Sequence, residues 1–158
     1  MADTKLAPRK ATDLLKQDHK KVLDLFEDYE DLEQGPADQK RRLFETIRYE
    51  LTVHSQIEEE IFYPRIESIG DGESADLIRT AREEHKIVAT LLDELSGLTA
   101  GDATFDAKMQ VLRESVEHHA REEEKSVFKK FGKLSKQEQT VLAAELARRK
   151  TALTGEEE

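Results

Sequence analysis

The 158-residue chain contains no cysteine and no tryptophan, only 7 glycines and 3 prolines, and no long apolar run. Without cysteine, disulfides, thiolate catalysis and Cys-ligated zinc or iron–sulfur centres are excluded, so any metal must be held by nitrogen and oxygen ligands. No stretch approaches the ~18 apolar residues that a membrane span needs, and the opening "MADTKLAPRK" lacks an apolar signal core. A soluble cytoplasmic protein with no membrane partner is therefore expected. Positive charge is also in deficit, with 25 Lys and Arg against 35 Asp and Glu and a formal net charge of −10. Nucleic-acid surfaces depend on clustered cations that neutralise phosphate, and the run "RRK" at 148–150 is too short to supply them, so no nucleic-acid partner is expected.

What remains is a chain 37% hydrophobic and 38% charged, the balance of amphipathic helices with one apolar seam each. Breaker-rich stretches "EQGPAD", "IGDGES", "SGLTAGDAT" and "FGKLS" divide it into four long segments and a shorter fifth. The first runs from about Thr12, read as its N-cap, to about Glu33, with Leu15, Val22, Phe26 and Tyr29 at helical spacing. The second carries Leu43, Ile47, Leu51, Ile57 and Ile61; the third Ile78, Ala81, Val88, Leu92 and Leu95; the fourth Phe105, Met109, Leu112, Val116 and Val127. The fifth, about Ser135 to Arg149, opens with Ser135 and Glu138 in capping-box spacing and carries Val141, Leu142 and Leu146. Short connections favour an all-α, antiparallel up-down-up-down four-helix bundle with an additional short C-terminal helix. Residues 1–11 read as an N-terminal extension, 12–131 as the bundle, and 132–158 as the accessory helix and an acidic tail whose end, "TGEEE", is expected to fray.

The chain also repeats itself at about 65 residues. "DHKKVLDLF" (18–26) aligns with "EHKIVATLL" (84–92), and "FETIRYELTVHSQIEEEIFY" (44–63) with "MQVLRESVEHHAREEEKSVF" (109–128). This register sets His19 on His85, His54 on His119, Glu58 on Glu123 and Tyr63 on Phe128. It also separates two adjacent histidines, because pairing His118 with His54 would set Ser115 against Leu51. One His-x-x-x-Glu carries little weight in a chain with 35 acidic residues, but two copies in register with the seam carry much more. The seams read Leu15-His19-Val22-Phe26, Leu51-His54-Glu58-Ile61, Ala81-His85-Val88-Leu92 and Val116-His119-Glu123-Val127. Each places a histidine where an apolar residue is expected. At ~1.5 Å rise per residue the four histidines lie at matching heights in an antiparallel bundle.

Any one seam histidine is more often a core residue hydrogen-bonded to a neighbour. Four imidazoles and two carboxylates in one buried layer, with no seam cation to pair them, would cost several kcal/mol per unpaired charge. A bound cation removes that cost, and facing helices of bundles build such sites. The i, i+4 spacing lets His and Glu reach one site from one helix. The set is too large for one tetrahedral zinc and suits two ions bridged by Glu58 and Glu123. With no thiolate, iron leads, manganese follows, and a zinc pair fits less well. Positions left over would take an oxo, hydroxo or exogenous ligand.

The order His, His-x-x-x-Glu, His, His-x-x-x-Glu on four successive helices, carried by "DHKKV", "HSQIEEEIFYP", "EEHKIV" and "VEHHAREEE", resembles the hemerythrin-like (HHE cation-binding domain) family over about residues 10–131. The resemblance implies a non-haem di-iron centre in a four-helix bundle. Its ligands would be His19, His54, Glu58, His85, His119 and Glu123, and its small ligands dioxygen, peroxide or nitric oxide. Oxygen-carrying hemerythrins use a fifth histidine on the third helix, whereas one turn either side of His85 stand Ala81 and Ala89. More evenly coordinated ions are thereby implied. Catalase-like or nitric-oxide-handling turnover, or iron and oxygen sensing, then stands beside oxygen binding.

Several neighbours are read differently. His118, ~100° around the helix from His119, is expected to be partly exposed or to sit behind the ligands. Glu59, Glu60, Glu122 and Glu124 are expected to form a solvated face, and Glu50 is a weak candidate for orienting His54. Tyr63 and Phe128 are expected to wall the site; Tyr63, Tyr29 and Tyr49 are also open to a ligand or redox role. No feature names a protein partner.

Overall fold

Seams at three-and-four spacing become helices, and the computed structural model, which describes residues 9–32 and 34–156, contains no strand among them. The helices are α1 (Ala11–Leu32), α2 (Ala37–Ile57), α3 (Tyr63–Glu67), α4 (Gly72–Ser96), α5 (Ala103–Glu122), α6 (Phe128–Phe131) and α7 (Lys136–Thr154). α2 runs into α3 through a π-helical turn, π1 (Glu58–Phe62), and α5 into α6 through π2 (Glu123–Val127). α1, α2–π1–α3, α4 and α5–π2–α6 are the four antiparallel rods of a bundle. α1 packs against α2 and α5, and α4 against α5 and α2, which leaves α2 and α5 as a parallel diagonal pair.

Local chemistry sets the helix ends. Asp71 caps α4 by accepting from the Ser74 backbone N–H at 2.7 Å, and Ser135 and Glu138 close a reciprocal capping box at the start of α7. Gly155, at φ +76°, takes the left-handed conformation that ends α7. Thr12 is not an N-cap: α1 begins at Ala11, and Thr12 is buried within its first turn. The last two residues of "TGEEE", most of the 1–11 extension, and Glu33 lie outside the described residues; Thr154, the first of "TGEEE", is still helical.

The apolar core is divided in two. One cluster includes Leu15, Ile57, Phe62, Tyr63, Ile66, Ile78 and Phe131; the other includes Val22, Phe26, Phe44, Ile47, Leu51, Leu92, Met109 and Leu112. His19, His54, His85 and His119 fall between them in sequence on all four rods. In the second seam Phe62, not Ile61, follows Glu58 into the core: Phe62 is buried and Ile61 only partly so. Phe62 stands four residues after Glu58, as Val127 does after Glu123 in the fourth seam, and the repeat sets Ile61 on the half-buried Ser126.

α7 runs to Thr154, five residues past the expected end at Arg149. It lies along α1, α2 and π1, and Leu142 and Leu146 join the first core cluster while Val141 stays exposed.

Candidate metal centre

The bundle brings all six seam residues together. His19, His54, Glu58 and Glu123 form one group of buried donors within 4.8 Å of one another, and Glu58, His85 and His119 form a second. The rings pair edge to face in both halves, His19 with His54 and His85 with His119, each at 4.8 Å between centroids. All four Nε2 atoms are directed at the two glutamates. Glu58 Oε2 lies 3.3 Å from His54 Nε2 and its Oε1 lies 3.0 Å from His85 Nε2. Glu123 Oε1 lies 3.1 Å from His19 Nε2 and its Oε2 lies 3.5 Å from His119 Nε2. Each carboxylate thus spans both halves with one oxygen in each.

The outward Nδ1 atoms are just as ordered. Asp18 bonds His54 Nδ1 at 2.9 Å, and Glu84 bonds His119 Nδ1 at 2.6 Å. Glu59 bonds His85 Nδ1 at 2.6 Å, and Glu124 bonds His19 Nδ1 at 2.7 Å. Every bond crosses between helices, and the four obey the internal repeat: Asp18 corresponds to Glu84, and Glu59 to Glu124. Such partners fix ring orientation and tautomer and strengthen the imidazole as a donor. Glu59 and Glu124 therefore do not merely form a solvated face, as expected from their composition. The available signal was the residue before the first histidine of each copy ("DH", "EH") and the one after each seam glutamate. Glu60 instead binds Arg149, and Glu50 pairs with Lys21 rather than His54.

Tyr63 breaks the symmetry. The i+5 spacing of π1, in which the Tyr63 N–H bonds the Glu58 carbonyl, brings its ring beneath Glu58; in an α-helix it would lie ~140° away. Its hydroxyl donates to Glu123 Oε2 at 2.5 Å and lies 3.1 Å from Glu58 Oε1, 3.2 Å from His85 Nε2 and 3.4 Å from His119 Nε2. The other half has Phe128, stacked on His19, and no hydroxyl. There, His19 Nε2, His54 Nε2, Glu58 Oε2 and Glu123 Oε1 are buried without a hydrogen-bond partner. Pro64 does not by itself cause the wide turn, because π2 forms with Lys129 at the equivalent place. Tyr29 bonds Asp106 away from the site, and Tyr49 is exposed.

Six carboxylates surround the four rings: Glu58 and Glu123 on the inside, and Asp18, Glu59, Glu84 and Glu124 on the outside. His54 is pushed up to about 10: burial acts to lower it, and Glu58 and Asp18 together outweigh burial. His119 is likewise driven up to about 12 against burial, by Glu123, Glu58 and Glu84. Glu58 is held well below its usual value despite complete burial, because three histidines surround it. Burial and the two glutamates push the Tyr63 phenol up, keeping its proton in place. Buried nitrogen and oxygen atoms that lack hydrogen-bond partners and converge within 4.8 Å of one another could hold metal, and imidazole with carboxylate is a donor set that suits it. Ala81 is buried one turn before His85 and Ala89 is exposed one turn after it, so α4 contributes no second imidazole.

Known proteins resemble this chain in sequence and in fold. The model of the "Hemerythrin HHE cation binding domain" matches residues 10–131. A DNA nickase of Nostoc sp. is 31% identical over 118 residues, covering 73% of this chain and 32% of its own length, so the chain spans about a third of that relative. An uncharacterised hemerythrin-like protein of Schizosaccharomyces pombe is 28% identical over 141 residues, covering 88% of this chain and 68% of its own. The crystal structure of an HHE cation-binding domain-containing protein from Mycobacterium kansasii superposes with a TM-score of 0.78 at 23% identity, covering 93% of this chain and 88% of that one. That likeness concerns the fold.

Proposed function

The chain belongs to the hemerythrin HHE cation-binding domain family, and from that premise we propose that it is a non-haem di-iron protein binding dioxygen or a related small oxidant, peroxide or nitric oxide. His19 and His54 would hold one ion, His85 and His119 the other, with Glu58 and Glu123 across both. The observation that carries this reading is the set of four inward atoms in the first half, converging on one another while buried without a hydrogen-bond partner. A nitrogen and oxygen donor set supports iron first and manganese second. When bound, paired iron supplies redox chemistry toward small oxidants. The chain's own residues hold and orient. Asp18, Glu59, Glu84 and Glu124 fix the four rings, the two apolar clusters exclude water, and the Tyr63 hydroxyl keeps a proton between Glu58 and Glu123.

A second reading, catalase-like or nitric-oxide-handling turnover, or iron and oxygen sensing, is supported by the alanines at 81 and 89, where oxygen-carrying members of the family have a further histidine. No DNA role is carried over from the nickase. Iron-loaded protein is expected to contain about two irons per chain and to absorb in the near ultraviolet. Adding oxygen and then peroxide, with oxygen evolution followed in parallel, separates the readings: a reversible adduct supports binding, and bleaching with gas release supports turnover. Less than about one iron per chain after loading would overturn both.

A further inference from the structure

The internal repeat gives the bundle two equivalent side faces, and they are finished differently. One, formed by α1, α2 and π1, is covered by α7. There the repeat carries Leu14, Val53, Ile57 and Ile61, all buried or partly buried. On the α4, α5 and π2 face the equivalent positions are Thr80, His118, Glu122 and Ser126, and a groove runs among them. His119 and Glu123 also line that groove, and they are 7% and 2% exposed. The groove, whose walls also include Leu77, Ala81 and Val127, therefore reaches two members of the six-residue layer from this side.

The carboxylates at the two faces make the contrast chemical. On the covered face Asp18 holds His54 with Oδ2 and meets Lys150 Nζ of α7 with Oδ1 at 2.7 Å, a permanent cation. On the open face its counterpart Glu84 holds His119 with Oε1, and its Oε2 faces the exposed His118, 3.5 Å from Nε2. His118 has Glu122 four residues on, on the same helical face, so the "HHAREEE" segment contains a second His-x-x-x-Glu shifted one residue outward. An imidazole and two carboxylates without a thiolate suit a first-row divalent cation.

We propose that His118, Glu122 and Glu84 form a docking site for a divalent cation such as ferrous ion, at the mouth of the groove by which metal enters the centre. The proposal rests on the reading that the centre holds metal, and goes beyond it by assigning a route and an outer site. His118 and Glu122 are exposed beside Glu84, and Glu84 would link an ion's position there to His119. On the other face α7 packs over the equivalent positions.

The test is timed loading of metal-free full-length protein with ferrous ion under anaerobic conditions, quenched with chelator and assayed for bound iron. H118A/E122Q and E122K are expected to load about tenfold more slowly than the parent yet reach the same final content. D24K, which makes the same charge change on the exposed side of α1, is expected to load at the parental rate. Groove variants loading at the parental rate would overturn the entry site and leave the centre intact. Equal slowing by D24K would overturn it too, by assigning the effect to net charge. If the parent takes up no iron, the centre reading itself fails and the proposal with it. Final content and circular dichroism report whether E122K folds; the neutral H118A/E122Q variant decides independently.

Discussion

At the scale of single residues, chemistry at the centre turns on neighbours that composition makes look alike. Glu58, Glu59 and Glu60 are consecutive, yet the first points inward, the second grips His85 Nδ1 and the third binds Arg149 on α7. E59Q is therefore expected to weaken metal binding about 10- to 100-fold, whereas E60Q leaves it within about twofold. Competition with a chromophoric chelator measures both; equal affinities in the two variants would remove Glu59 from its orienting role. The six seam residues were legible in the sequence because a histidine or glutamate in an apolar stripe is conspicuous and the repeat doubles the signal. Glu59, Glu124, Asp18 and Glu84 were not, because an acidic residue at a helix surface looks solvated until the neighbouring helix presents an imidazole to it. Tyr63 was legible only as a wall: its place among four donor atoms depends on a π turn.

At the scale of elements, helix ends and junctions hold the rods in register. Asp71 caps α4 and also meets Lys130 of α6 at 3.3 Å, tying the third rod to the fourth. Hydrogen bonding from Ser74, aided by Lys130, holds its carboxyl well below the ordinary 3.8. A depressed carboxyl stabilises the folded state above its unfolded value, and the contribution is lost as pH falls through the folded value. D71A is thus expected to melt about 4 °C below the parent at pH 7, and the gap to close as pH drops below 3.8. Thermal unfolding of both proteins between pH 2 and pH 7 checks it; a gap that persists unchanged in acid would show that the charge contributes nothing. α7 was legible as a capped helix but not in its placement. Its Lys150 contact with Asp18 joins residues 132 apart, beyond any local pattern.

At the scale of the whole molecule, a buried polar layer separates two apolar clusters, and four of its inward atoms lack a hydrogen-bond partner. Metal bound by the folded chain alone must then stabilise it. At free metal about a thousandfold above the dissociation constant, the added stability is about 4 kcal/mol per site. Loaded protein is expected to melt well above the chelator-treated form, by calorimetry in matched buffer, and coincident transitions would count against metal in the layer. What the sequence by itself determined was the class of fold and the six inward donors, because periodicity and i, i+4 spacing are properties of one helix. Only the tertiary structure decided which carboxylate holds which ring, where the π turns place Tyr63, and which face α7 leaves open. These depend on contacts between rods far apart in the chain, and on a backbone widening that tertiary packing has to support.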